Sequence, residues 1–179
     1  MSLRVSFELD DKDLRHFRLI MQEARKAASR VAPEEIVAAA DELLNDIALS
    51  NSAGFIKDRI GKLRLMIHML TDIEWRLPHE DATRVLNALA YFTEPDDLIP
   101  DHIPGLGFLD DAIMVELVVR ELKHEIEAFQ DFCDFRERDA GNRGRKARAK
   151  RDELQSRMRR RRERSRLVAG QSPDLGLFD

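Results

Sequence analysis

Four of the five aspartates in a central segment of the sequence are candidate metal ligands, and three prolines prevent this segment from continuing as a helix. The four aspartates are Asp97, Asp101, Asp110 and Asp111, within the stretch EPDDLIPDHIPGLGFLDD. Carboxylates that converge at one turn could bind Mg²⁺ or Ca²⁺, because both ions prefer hard oxygen ligands. The same carboxylates could instead accept backbone N–H groups, with Asp110 capping the following helix. We favour the structural role and keep a metal-binding module or metal-dependent enzyme as the alternative.

The proline–aspartate segment resembles the YkvA-like family, also called DUF1232. The family signature is approximately Y-x-x-x-P-x-D-L-I-P-D-x-I-P-x-x-G-x-x-D-D, and the resemblance covers about residues 86–122. The residues that match are Tyr91, Pro95, Asp97, Leu98, Ile99, Pro100, Asp101, Ile103, Pro104, Gly107, Asp110 and Asp111. The resemblance implies a helical hairpin-like unit. It implies no established activity, and some relatives look membrane-anchored.

No other catalytic signature stands out in the sequence. The sequence contains no G-x-S-x-G, no Walker-type glycine loop and no C-x-x-C. The histidines lack the spacing of a metal-binding pair such as H-E-x-x-H; they are His16, His68, His79, His102 and His124. We therefore expect a protein that is not an enzyme, with no catalytic residues and no required cofactor.

The charges are distributed very unevenly along the chain. Residues 1–142 carry 17 Lys and Arg against 29 Asp and Glu, a net charge of −12. Residues 143–166 carry 13 Lys and Arg against 3 Asp and Glu, a net charge of +10. An acidic body followed by a basic arm indicates either contact with nucleic acid or docking of the arm on the body.

The basic arm could form a helix, since it is rich in Arg, Lys, Ala, Glu and Met. Its cations suit phosphate backbones, and no aromatic residue within it could stack on bases. The expected nucleic-acid contacts are Arg143, Arg145, Lys146, Arg148, Lys150, Arg151, Arg157, Arg159, Arg160, Arg161, Arg162, Arg164 and Arg166.

Two alternatives apply to the arm. It could fold back on its own body, where acidic residues lie along the last long helix: Glu121, Glu125, Glu127, Asp131, Asp134 and Glu137. Docking and nucleic-acid contact could both hold, with the arm released when a stronger polyanion competes. The arm could also bind an anionic membrane surface by charge alone. Its bulky apolar residues before Leu167 are Leu154 and Met158, too few for a helix embedded in lipid.

The chain ends in an apolar peptide after a Gly/Ser/Pro spacer. The sequence DLGLF resembles the short motif, usually Q-L-[S/D]-L-F, by which many bacterial replication and repair proteins bind the sliding clamp. The residues expected to bind a partner are Gln171, Asp174, Leu175, Leu177 and Phe178. Asp174 departs from the motif, which usually has glutamine there, although Gln171 lies just upstream. The alternatives are burial of the peptide on this protein's own surface, self-association, and another groove-bearing partner.

Hydrophobic periodicity predicts an all-α protein: a single bundle of about five helices, with a short extended N-terminal arm and a basic C-terminal helix or tail. The expected organisation is an acidic helical body over 1–140, a basic arm over 141–170 and a peptide motif over 171–179. Without a signal-like or membrane-spanning segment, we expect a cytoplasmic protein, with association with the nucleoid as a further expectation. The predicted function is that of a bacterial DNA-associated interaction protein that docks on the sliding clamp, either recruiting a factor or inhibiting replication.

Overall fold

The computed structural model describes residues 6, 8–92, 108–139, 144–168 and 177, without the side chain of Arg166. These residues form eight helices and no strand. The helices are α1 (Asp11–Ala28), α2 (Pro33–Leu49), α3 (Gly54–Ile60), α4 (Lys62–Thr71), α5 (His79–Tyr91), α6 (Leu109–Glu121), α7 (Lys123–Arg138) and α8 (Arg145–Leu167). The predicted all-α class is confirmed. Most of the predicted N-terminal arm lies outside the described residues.

Within the described residues the body has seven helices rather than the five expected, because two stretches that the periodicity predicts as continuous helices, 55–77 and 110–138, are each interrupted. One interruption is at Gly61, between α3 and α4, where the Arg64 N–H donates to the Gly61 carbonyl over 3.2 Å. Glycine weakens a helix through its backbone entropy. The other is at Leu122, between α6 and α7, where the backbone departs from helical angles (φ −93°, ψ 19°). No local feature of the sequence predicts the second break.

The sequence pattern also predicts Asp11 as the cap of α1 and a helix that continues to Pro78, and both boundaries are wrong. Asp10 rather than Asp11 caps α1, through a capping box in which Asp10 accepts the Asp13 N–H and Asp13 accepts the Asp10 N–H. The helix expected to run to Pro78 ends at Thr71. There the Asp72 carboxylate accepts the N–H groups of Glu74 and Trp75, both at 2.9 Å, and so stabilises a turn.

The buried stripes follow the predicted periodicity, and one aromatic cluster joins the turn after α4 to α7. The stripe predicted for α2 comprises Ile36, Ala40, Leu43, Leu44 and Ile47; all are buried except Leu43, which is half-buried. Trp75 is fully buried, with its ring centroid 5.7 Å from that of Phe129 and 5.2 Å from that of Phe132. Beyond this cluster α8 packs antiparallel along α7, so the basic helix lies on the body.

Candidate nucleic-acid interface on the basic helix

Helix α8 docks through a narrow stripe of buried residues. Ala147, Leu154 and Met158 are buried at intervals of seven and four residues, and Gln155 is buried beside Leu154. The Gln155 amide donates to the Trp75 carbonyl oxygen over 2.8 Å. Of the helix or tail expected for the arm, the structure adopts the helix over Arg145–Leu167. The alternative in which the arm folds back on its own body is the arrangement that the structure adopts.

Arg162 anchors α8 to two other helices through buried charges. Its guanidinium donates to the carboxylates of Asp81 on α5 and Glu125 on α7, the latter over 2.8 Å. Asp81 is 1% exposed and Glu125 is 0% exposed. Burial alone lowers the pKa of Arg162, but the hydrogen bonds and charges of Asp81 and Glu125 outweigh burial and raise it. Arg162 therefore stays charged in this site.

A second arginine completes the buried charge cluster, which comprises Asp81, Arg84, Glu121, Glu125 and Arg162. Arg84 donates to the same Glu125 oxygen as Arg162, over 2.5 Å, and lies 3.8 Å from Glu121. The three carboxylates are at most 5% exposed as side chains. Two arginines thus face three buried carboxylates, and one of those arginines comes from α8. Sequence reasoning missed Asp81 and Arg84, because both lie far from the basic arm in the chain.

Two further arginines of α8 pair with α7 at the surface. Arg157 lies 2.5 Å from Asp131, and Arg161 lies 3.3 Å from Glu127. The four side chains are 37–52% exposed. Exposed ion pairs of this kind stabilise a fold by about 0–1 kcal/mol. These pairs therefore contribute little to the stability of the packing between α7 and α8.

The outward face of α8 keeps six cationic side chains exposed. No ion pair joins any of these six to a carboxylate within the described part of the chain; they are Arg145, Lys146, Arg148, Arg159, Arg160 and Arg164. The acidic residues of α8 are Asp152, Glu153 and Glu163, and the first two pair with Arg151 and Lys150 on the same helix. Arg143 lies outside the described residues. The outward face is therefore strongly cationic toward both ends of α8.

An open cleft of about 490 Å³ separates α7 from the N-terminal half of α8. Arg138, Lys150 and Arg157 contribute cations to its lining. The remaining lining residues are Asp131, Phe135, Asp139 and Leu154. The lining therefore combines two apolar side chains with three cations and two carboxylates.

Two of the four aspartates proposed as metal ligands are described, and both are buried. Asp110 and Asp111 lie in the first turn of α6, at 4% and 5% exposure. Asp110 is not the helix cap, since α6 begins at Leu109 and Phe108 occupies the cap position. Asp97 and Asp101 lie outside the described residues. Among the residues that the structure describes, no cluster of three or more His, Cys, Asp or Glu side chains could hold a metal ion.

One residue of the proposed clamp-binding peptide is described. Leu177 is 1% exposed and belongs to the hydrophobic core. This burial is what the alternative of self-packing predicts. The other four residues of the motif (Gln171, Asp174, Leu175 and Phe178) lie outside the described residues.

Comparison with known proteins supports the YkvA-like resemblance. Residues 83–117 match the family described as "Protein of unknown function (DUF1232)". A segment of 43 residues is 42% identical to the "Uncharacterized membrane protein YkvA" of Bacillus subtilis (strain 168). The aligned segment covers 24% of this chain and 41% of that protein, so the chain spans about two fifths of the relative's length. No solved structure matches the chain. Across the described helices, none is long and apolar enough to cross a membrane.

Proposed function

We propose that this chain is a non-enzymatic, DNA-associated interaction protein that binds phosphate backbones with the outward face of α8. The observation that carries the proposal is the set of six exposed cations on a helix whose opposite face is anchored to the body. A docked helix presents these cations without the entropic cost of ordering a free arm.

The chemistry of this face favours backbone contact over base readout. Up to six cations could each neutralise a phosphate and release a counterion, which gives sequence-independent, salt-sensitive binding. Since α8 contains no aromatic residue, stacking on unpaired bases would contribute little. We therefore expect comparable affinity for unrelated duplex sequences.

The proposal is tested by neutralising one end of the cationic face. The variant Arg159→Gln/Arg160→Gln/Arg164→Gln should weaken binding to a fluorescent DNA duplex at least tenfold in an anisotropy titration. The matched control, Lys12→Gln/Lys26→Gln/Arg30→Gln, removes three exposed cations from α1 and its end. Equal affinities of the two variants would refute the proposed interface.

We further propose that the C-terminal peptide docks on the sliding clamp after Leu177 leaves its buried position. Two leucines and a phenylalanine could fill a preformed groove on the clamp, while the burial of Leu177 would compete with docking and keep the affinity modest. Saturable binding to purified clamp should be lost in Leu177→Ala/Phe178→Ala and kept in Leu167→Ala. Absence of binding by the wild type would reject this part of the proposal.

A second candidate function is binding to an anionic membrane surface. The observation that favours it is the name of the Bacillus subtilis relative, a membrane protein, together with the exposed cations of α8. Basic side chains near an anionic bilayer each contribute about 1 kcal/mol. Sedimentation with vesicles of phosphatidylserine and phosphatidylcholine, in competition with DNA, separates the two functions. The proposed DNA function predicts that DNA displaces the protein from the vesicles.

A further inference from the structure

A row of cations follows one edge of α8, where the outward face meets α7. Lys146, Lys150, Arg157, Arg161 and Arg164 succeed one another at intervals of four, seven, four and three residues. At 3.6 residues per turn they lie within about 60° of one another around the helix. We call these five residues the edge strip. It extends for roughly 27 Å at 1.5 Å per residue.

The three central members of the edge strip are each held by a carboxylate. Glu153 lies 2.9 Å from Lys150, Asp131 lies 2.5 Å from Arg157, and Glu127 lies 3.3 Å from Arg161. The carboxylates are 40–55% exposed and reach the cations from the solvent side and from α7. The two ends of the strip, Lys146 and Arg164, are exposed. The centre of the strip is thus masked while its ends are open.

Given the proposed function, we infer that the edge strip is a second phosphate-binding surface, which Glu127, Asp131 and Glu153 restrain by occupying its central cations. A carboxylate and a phosphate compete for the same guanidinium and ammonium donors. Because exposed pairs are weak, a polyanion can replace these carboxylates. The cleft beside the strip gives a phosphate group room to reach Lys150, Arg157 and Arg138 together.

The helix stays docked while the strip exchanges partners. Arg162 is bound to carboxylates that are almost fully buried, and removing it would leave Arg84 as the remaining cation of the cluster. Arg157 and Arg161 differ from Arg162 because their partners can turn into solvent without leaving a buried charge. The partner that fits is therefore one continuous phosphate backbone laid along α8.

The test removes the three carboxylates that occupy the central cations and leaves every cation of the edge strip unchanged. The variant Glu127→Gln/Asp131→Asn/Glu153→Gln should bind duplex DNA at least fivefold more tightly than the matched control Glu34→Gln/Glu35→Gln/Glu42→Gln. The control removes three exposed carboxylates from α2, so both variants change the net charge equally. The slope of log Kd against log salt should also steepen by about 2 to 3 in the unmasked variant alone, since up to three more phosphates are neutralised.

The outcomes separate this inference from the proposed function. The unmasked variant and its control could share the same affinity and slope while the wild type binds DNA. In that case the edge strip does not bind phosphate, and the proposed role of the outward face is unaffected. If only the unmasked variant binds, masking is supported and the outward face is insufficient alone. If no form binds DNA at low salt, both proposals fail. The substituted positions are exposed apart from Glu127, which is half-buried. The fluorescence emission of the buried Trp75 verifies that each variant is folded.

Discussion

Arg162 and Glu125 form an ion pair with a nitrogen–oxygen distance of 2.8 Å, although 37 positions separate them in the sequence. The pair joins α8 to α7, and Asp81 ties the same guanidinium to α5. A buried pair is expensive to break because its remaining partner keeps an uncompensated charge. This arrangement makes the basic helix part of the folded body rather than a free arm.

Removing Arg162 should therefore destabilise the protein. We expect Arg162→Ala to lower the free energy of unfolding by about 3 kcal/mol, since Asp81 and Glu125 would stay buried with less compensation. Urea denaturation followed by circular dichroism measures the change. Arg160→Ala, at an exposed position of the same helix, should change it by less than about 0.5 kcal/mol. Equal effects of the two substitutions would show that Arg162 is not an anchor.

Truncation of an apolar residue tests the docking of α8 independently of charge. Leu154 is 0% exposed, so Leu154→Ala should cost about 3 kcal/mol through lost burial and a residual cavity. Leu167→Ala, on the same helix but 84% exposed, serves as the control and should be nearly neutral. Thermal unfolding monitored by calorimetry compares the two. A neutral Leu154→Ala would mean that the helix does not pack against the body in solution.

His124 should make stability depend on pH. Burial lowers the pKa of His124 below its usual 6.5, although the charges of Glu125 and Glu127 oppose this effect. The unfolded chain then binds the proton more readily than the folded protein, so stability is highest above about pH 6.5 and falls as the pH drops below it.

The variant His124→Gln isolates that pH effect. Glutamine can keep a hydrogen bond to Ser165, which lies 3.1 Å from the histidine ring nitrogen Nε2, but it cannot take up the proton. The stability of the wild type relative to the variant should decrease between pH 7.5 and pH 5.5, as measured by urea denaturation at each pH. A constant difference would contradict the assignment.

Leu177 should contribute to stability because it is buried in the core. We expect Leu177→Ala to lower the free energy of unfolding by about 2 kcal/mol, near the lower limit for a buried leucine. The exposed Leu167→Ala again provides the control. If Leu177→Ala is as neutral as the control, the side chain does not rest on the body, and the terminal peptide is free to meet a partner.

The sequence predicted the helical class and most of the buried stripes, because both follow from hydrophobic periodicity. It also contained a signal for the docking of α8, since Leu154 and Met158 stand four residues apart on one face. The break at Leu122 has no glycine or proline to mark it. The partners of Arg162 could not be predicted either, because no local pattern selects Asp81 from among 34 acidic residues at a separation of 81 positions.

The salt dependence of DNA binding by the wild-type protein tests the central claim most directly. The exposed cations of α8 predict that log Kd rises with log salt with a slope of about 3 to 5, so that affinity falls by roughly a hundredfold to a thousandfold between about 50 and 200 mM salt. Binding that does not change with salt, or no binding at the lowest salt, would contradict the assignment of the outward face of α8 as a phosphate-binding surface.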